Sequence, residues 1–417
     1  MFRKFTLSNG ITVLLQKVDG VVSVSSGLWL RTGSRDENAD ECGYAHFLEH
    51  MLFKGTAKYS AQDMARMVDR VGGQHNGATN KEYTCYYINI IADHLEMSLE
   101  LISDMFYNSL FLETDIEKEK GIILEEIRMY EDYADEHVLD TFTESMFAGH
   151  PLAHNILGTR ESIASITREK LMNFYEREYR NDKAVISIAG NFDISEAERL
   201  VKKYFSESKG SSVLIKQNFS YGRIYRKHIE REIEQVHFAL GFDGLPKTHE
   251  DRYSLFLLST IFGGSSSSRL FQNIREREGL CYSVFSFHSS YSDNGLFGVY
   301  CSASPEKFEK AKSLILDECR LLIEKGISED ELADAKSYLK GSLALSMESV
   351  EVKMGHNALE EMTFGRKYSF EEVCHFIDKV KGSDIERIIK LIFASREVGY
   401  ISIGRIEKPD DSILYLY

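Results

Sequence analysis

His46-Phe-Leu-Glu49-His50 sets two imidazoles four residues apart, with a carboxylate directly before the second. A helix turns about 100° per residue, so Glu49 and His50 stand at roughly 300° and 40° from His46. All three side chains therefore project from one side. Two imidazoles one turn apart can hold a single zinc ion from one rigid element. Glu49 is then placed to act as general base on a water activated at the metal, without ligating it. This HxxEH order is the mirror of the zinc-binding HExxH pattern. The plainer alternative is an amphipathic helix whose histidines are satisfied core or boundary residues.

Catalytic zinc takes three protein ligands and keeps a fourth position open. The acidic stretch EKEKGIILEEIRMYEDYADE offers many carboxylates for the third. Residue types and spacing do not choose among them, since most carboxylates on a long helix are solvated surface charges. The six cysteines, Cys42, Cys85, Cys281, Cys301, Cys319 and Cys374, are scattered without a CxxC pair. They read as reduced thiols rather than a structural zinc cluster.

The elements that must position these residues occur twice. In the first half, the alternating runs ITVLLQ and VVSVSSGLWLRTGS read as strands, and a helix follows through the HxxEH segment. A helix at AQDMARMVDRVGG, strand-like segments ending in YTCYYINII, and long helices from about 93 to 148 come next. A helix near 168–178, the strand AVISIAG and the helix ISEAERLVKKYF close the half. The second half runs QVHFALGF, RYSLFLLSTIFGG, RLFQNIREREG, LCYSVFSFHSSY and LFGVYCSAS in the same order of strand, helices and strands. Helices PEKFEKAKSLILDECRLLIEKG, EDELADAKSYLKGSLALSM and SDIERIIKLIF and the strand VGYISIG complete it.

The expected fold is α+β: two similar domains, each a mostly antiparallel sheet packed against helices and related by internal duplication. The polar stretch SESKGSSVLIKQNFSYG marks the boundary. Residues 1–210 form the expected metal-binding domain, 211–222 the linker and 223–417 the copy. That copy carries RYSLFLLST where the first half carries AHFLEHMLF, so packing alone does not require the metal-type residues.

The chain has 417 residues, enough for two or three domains, and its 43% hydrophobic and 28% charged residues are ordinary for a globular protein. A net charge of −15 argues against nucleic acid as principal partner. No run reaches the roughly 18 uncharged apolar residues of a spanning helix, so no membrane partner is expected. The opening MFRKFTLSNG lacks an apolar signal core, so the expected location is cytoplasmic.

GYAHFLEHMLFKGT, with Glu126 in GIILEEI 76 positions beyond His50, resembles the pitrilysin, insulin-degrading enzyme and mitochondrial processing peptidase family of zinc metallopeptidases. The resemblance implies one zinc per chain held by His46, His50 and Glu126, with Glu49 as catalytic base. Glu119 occupies the place of a further acidic residue that supports catalysis. Seven residues correspond to about 700°, so Glu119 and Glu126 share a helix face.

The resemblance extends to GGQHNGATNKEYTCYY, where the family pairs an edge strand with the substrate backbone. Asn76, Gly77, Ala78 and Thr79 are the substrate-binding positions it implies, with affinity from main-chain hydrogen bonds. Relatives usually carry alanine and a larger residue at the places of Gly77 and Ala78, which leaves cleavage preference open. Arg275 and Tyr282 resemble the family's substrate-contacting pair, which steadies the developing oxyanion. GGSSSSRLFQ resembles its glycine-rich loop near the substrate entrance, and has no phosphate-loop pattern.

What the resemblance implies is a zinc endopeptidase for short to medium unfolded peptides, enclosed in a chamber. Since one chain carries both the zinc set and Arg275 with Tyr282, it implies a homodimer whose sites are completed in trans. The alternative on the same scaffold is a non-catalytic partner subunit of a related heterodimeric peptidase.

Overall fold

The structure is a computed structural model that describes residues 1–210, 223, 226–394, 397–407 and 414–416. The expected linker 211–222 lies outside the described residues. The described chain forms two compact units, one of residues 1–129, 154–210 and 346–367 and the other of 130–153, 223–345 and 368–416.

The strands of the first unit are β1 Phe2–Thr6, β2 Thr12–Lys17, β3 Ser23–Leu30, β4 Gln74–Thr79, β5 Thr84–Ile91 and β6 Ala184–Gly190. They pair in the order β1-β2-β6-β3-β5-β4, with β2 and β6 parallel and the other pairs antiparallel. The second unit holds β7 Arg226–Glu230, β8 Val236–Asp243, β9 Cys281–Ser290, β10 Gly295–Ala303, β11 Glu397–Gly404 and β12 Leu414–Tyr415. There the order is β12-β11-β8-β10-β9, and β7 lies parallel to β11. The path β7-β11-β8-β10-β9 thus repeats β2-β6-β3-β5-β4, and the internal duplication expected from the sequence is present.

The helices are α1 Tyr44–Leu52, α2 Ala61–Asp69, α3 Leu95–Asn108, α4 Glu113–Asp132, α5 Ala134–Met146, α6 Arg160–Ala164 and α7 Arg168–Glu178. They continue with α8 Ile194–Tyr204, α9 Arg252–Phe262, α10 Pro305–Lys325, α11 Glu329–Ser346, α12 Val350–Phe364, α13 Phe370–Lys379 and α14 Gly382–Ile392. Among the described residues no helix is long and apolar enough to cross a membrane.

Two of these helices cross the single cut expected near the chain midpoint. α12, from the second half of the sequence, belongs to the first unit, and α5, from the first half, belongs to the second. Met354 and Ala358, one turn apart on α12, pack on Leu14, Trp29 and Val185 on one face of the first sheet. Ser187 donates its hydroxyl to the Met354 carbonyl there at 2.8 Å. Val138, Phe142 and Met146 of α5 repeat every four residues and cover one face of the second sheet. Gly399 makes room for Met146, and a side chain at Gly241 would stand 3.0 Å from the Phe142 ring.

Helices α1, α3, α7 and α8 enclose the principal core on the other face of the first sheet. Strand β3 is therefore covered on both faces and is buried almost end to end. Strand β4, at the end of the sheet, instead alternates exposed and half-buried residues. Its outer main-chain edge has no partner strand among the described residues.

Candidate active site

Helix α1 rests on β4 and β5 through its apolar side, formed by Tyr44, Ala45, Phe47, Leu48, Met51 and Leu52. That packing turns His46, Glu49 and His50 to the remaining side, as the helical spacing requires. Gly43 precedes the helix at φ 91°, a left-handed conformation that glycine adopts without strain. Glycine has no side chain with which to cap a helix. The Glu37 carboxylate stands there instead, accepting the Gly43 amide at 2.9 Å and the Ala45 amide at 2.8 Å. Burial pushes the Glu37 carboxyl well up, against the pull of those amides and Lys81.

Helix α4 brings Glu119 and Glu126 to α1. His46 Nε2 lies 3.8 Å from Glu126 Oε1, and His50 Nε2 lies 3.7 Å from Glu126 Oε2. One ligand atom from each of the three residues falls within 4.8 Å of the others. His50 Nδ1 meets Glu119 Oε1 at 2.8 Å, and Lys54 Nζ meets Glu119 Oε2 at 2.6 Å. Assigning the His50 proton to Nδ1 on that network leaves the Nε2 lone pair facing Glu126.

Electrostatics divides these groups. Burial, aided by His50, lowers the His46 pKa to about 3, so its imidazole is neutral and ligand-competent at neutral pH. Burial also opposes charge on His50, yet Glu119 prevails and raises its pKa. Burial would raise Glu119, but His50 and Lys54 together hold it below the ordinary value. Glu126 is raised by burial, against the pull of His50. Burial raises Glu49 as well, against the Thr79 hydroxyl that donates to its Oε2 at 2.6 Å.

This donor set fits zinc. Bonds of about 2.0–2.1 Å in a tetrahedron put ligand atoms roughly 3.4 Å apart, close to the separations between each Nε2 and Glu126. Two imidazoles and a carboxylate make up a His2Glu set, and His50 has the orienting carboxylate typical of metal-ligating histidines. His46 Nδ1 is buried without a hydrogen-bond partner among the described residues, so the two rings are not equally supported.

Of the implied substrate positions, Thr79 touches Glu49, while Gly77 stands directly against it. A side-chain carbon at Gly77 would lie 2.8 Å from Glu49 Cγ and 3.1 Å from the Phe53 ring. Asn76 and Ala78 alternate with them on the exposed side of β4. Arg275 and Tyr282 belong to the second unit. The Arg275 guanidinium lies 5.2 Å from the centre of the Tyr282 ring. Register shifts by one residue between Ser302 and Ala303, so Tyr282 is the extra residue of a β-bulge, and it is 76% exposed. The GGSSSS loop is tethered beyond its serines, where Arg269 pairs with Glu331 at 2.6 and 2.8 Å.

Two groups at this site carry little signal in the sequence. Lys54 lies in the FKGT segment, four residues after His50, and that spacing is its only local signal. Glu37 lies upstream of a helix that opens on glycine, and only the folded chain brings its carboxylate to the helix.

Residues 12–160 match the family model described as insulinase (peptidase family M16), and residues 165–339 match that of the peptidase M16 inactive domain. The "Uncharacterized zinc protease YmxG" of Bacillus subtilis is 40% identical over 93% of this chain and 94% of its own. The chain belongs to peptidase family M16. An "Uncharacterized zinc protease" of Rickettsia felis is 36% identical to this M16 chain over 97% of each. The crystal structure of a protease from Helicobacter pylori aligns at TM-score 0.91 and 21% identity, covering 97% of this chain and 99% of the other. A structure titled as the M16 inactive domain from Pseudomonas fluorescens aligns at 0.88 and 21%, covering 98% and 99%. These two likenesses establish the shared M16 fold.

Proposed function

We propose that this M16 chain is a zinc endopeptidase that cleaves short to medium unfolded peptides. The observation that carries the proposal is the convergence of His46, His50 and Glu126 beside Glu49 and the open edge of β4. The names of its zinc-protease relatives point the same way. When bound, zinc supplies a Lewis acid that polarises a carbonyl and lowers the pKa of water.

His46, His50 and Glu126 would hold that ion, and Glu119 with Lys54 fixes the His50 ring. A peptide adding to the free edge of β4 presents an extended backbone, recognised by main-chain hydrogen bonds. Glu49, steadied by Thr79, takes the proton of the attacking water and delivers it to the leaving amine. Arg275 and Tyr282 donate to the oxyanion from the second subunit of a homodimer, whose chamber admits only flexible chains. Full activity from a strictly monomeric enzyme at high dilution would refute that arrangement, as would equal cleavage of a folded protein and its denatured form.

Metal analysis paired with a quenched-peptide library tests the central claim. Glu49→Gln is expected to keep its zinc and lose on the order of 10²–10⁴ in turnover. Undiminished hydrolysis by that variant would remove Glu49 from the role of base.

A further inference from the structure

The segment Gly33–Glu37 connects two parts of the site that the mechanism treats separately. At one end, the Ser34 amide donates to the Asn80 carbonyl at 3.2 Å and the Arg35 amide to the Lys81 carbonyl at 2.8 Å. Arg35 also pairs with Glu82 at 2.7 Å. Residues 80–82 directly follow β4, so this end is fastened to the terminus of the exposed edge strand. Gly33 is pressed so closely on Asn80 and Lys81 that no side chain fits there.

At the other end, the Glu37 carboxylate, 4% exposed, holds the first amides of α1. His46 sits in that first turn. Behind the helix start, a side-chain carbon on Gly43 would lie 2.8 Å from Gly158 Cα and 2.9 Å from the Leu157 carbonyl oxygen. The start of the helix is therefore packed directly on the 157–158 turn.

A helix ordinarily takes its cap from the residue at its own N-terminus. Here the cap is detached: the acceptor lies six residues before the glycine. A local Ser or Asp would satisfy the amides equally well, but would not bind the helix to another element. Glu37 does both, because its own segment is paired with the end of β4.

We infer that Glu37 is a positioning residue for metal and substrate together. Through the Gly43 and Ala45 amides it fixes the turn bearing His46, and through the 34–35 pairing it ties that turn to the strand offered to the peptide. The inference rests on the reading of α1 as the zinc helix. Loosening Glu37 lets the His46 ring, whose Nδ1 has no partner of its own, swing away from the geometry set by His50 and Glu126.

Glu37→Gln keeps the size of the side chain but turns an NH2 group toward one of the two amides. Zinc alone, titrated into the metal-free full chain against a chromogenic chelator, should bind E37Q about tenfold or more weakly than wild type, the range seen when outer partners of metal ligands are removed. The visible band of the cobalt-loaded variant should shift, and amide exchange at Gly43 and Ala45 should quicken in the metal-free form. A purely structural role would lower the melting temperature yet leave zinc affinity and the cobalt band of the folded variant unchanged, and that result overturns the inference.

If E37Q does not fold, wild-type exchange decides. Protected Gly43 and Ala45 amides support the detached cap, and amides exchanging as freely as an exposed loop refute it. A wild type that binds zinc no more tightly than His50→Ala would instead defeat the proposed function, with the same two amides still judging the hold of Glu37 on the helix.

Discussion

Helices α1 and α9 hold equivalent places in two copies of one sheet, and they carry opposite kinds of side chain. Each follows the strand next to the parallel pair and runs to the strand at the sheet's far edge. On α1, Glu49 reaches that edge strand through the Thr79 hydroxyl at 2.6 Å. On α9, Phe256 reaches it through the His288 ring, with centroids 4.8 Å apart, and Tyr253 stacks on Phe376 at 5.5 Å. The same architecture is thus built a second time without the metal-type residues. In the first unit, burial holds His46 neutral and raises the Glu49 carboxyl, two desolvation costs absent from an aromatic helix. Nothing in the packing of the second copy demands those costs, which is what the proposed chemistry would explain.

The edge strands diverge in the same way. β4 pairs with β5 in unbroken register and presents a regular main-chain edge. β9 is interrupted at Tyr282, which the bulge turns outward beside Arg275. One copy ends in a regular edge strand, and the other in a strand whose bulge exposes a tyrosine beside an arginine.

Making α1 resemble α9 should break the comparison most severely. His50→Leu, which installs the residue type of Leu257, should abolish zinc retention and cost on the order of 10³ or more in hydrolysis. Its metal-free melting should fall by no more than about 3 kcal/mol, since the half-buried His50 leaves but Lys54 still pairs with the buried Glu119. Calorimetry alongside metal analysis checks both; a collapse in stability would mean that His50 serves packing.

A smaller effect is expected from Gly77→Ala, which forces the Glu49 side chain off β4. Turnover should fall about 10- to 100-fold with KM little altered, because a displacement near 1 Å at a reacting group costs that much. Steady-state kinetics separates this from a defect in peptide binding, which would raise KM instead.

The smallest effect lies in the copy that lacks the metal-type residues. Burial lowers the His288 pKa to about 4, below the roughly 6.5 of an unfolded histidine. Between those values the unfolded chain binds more protons, so stability present at neutral pH is lost as pH falls from about 6.5 to 4. His288→Leu should flatten that decline by about 2 kcal/mol at most, read from denaturant melts at pH 7 and pH 4.5. An unchanged slope would show that His288 titrates normally.

Much of this was legible before folding, for reasons that particular residues make clear. Helical spacing alone puts His46, Glu49 and His50 on one side, and seven-residue spacing puts Glu119 on the face of Glu126. Choosing Glu126 among its acidic neighbours required resemblance, because every carboxylate on α4 looks alike in one dimension. Helix α12 went unassigned because its burying residues, Met354 and Ala358, are few, one of them small, and set among charges. The bulge at Tyr282 depends on how β9 pairs with β10, and such pairing leaves no local trace. The role of α5 was hidden likewise: Val138, Phe142 and Met146 announce an amphipathic helix but not which sheet it covers.

The exchange of α5 and α12 also sets a timetable for biosynthesis. When residue 204 leaves the ribosome, every strand of the first sheet and the core on one face are in hand, but Leu14, Trp29 and Val185 on the other still lack α12. At roughly 5–20 residues per second, the 160 residues up to the end of α12 take on the order of 10–30 s to emerge. Over the same interval α5 waits for the sheet it covers, whose strand β11 is made only after α12. The nascent chain therefore carries two apolar surfaces awaiting partners encoded far downstream, which makes it a natural client for chaperones that shield such surfaces during translation.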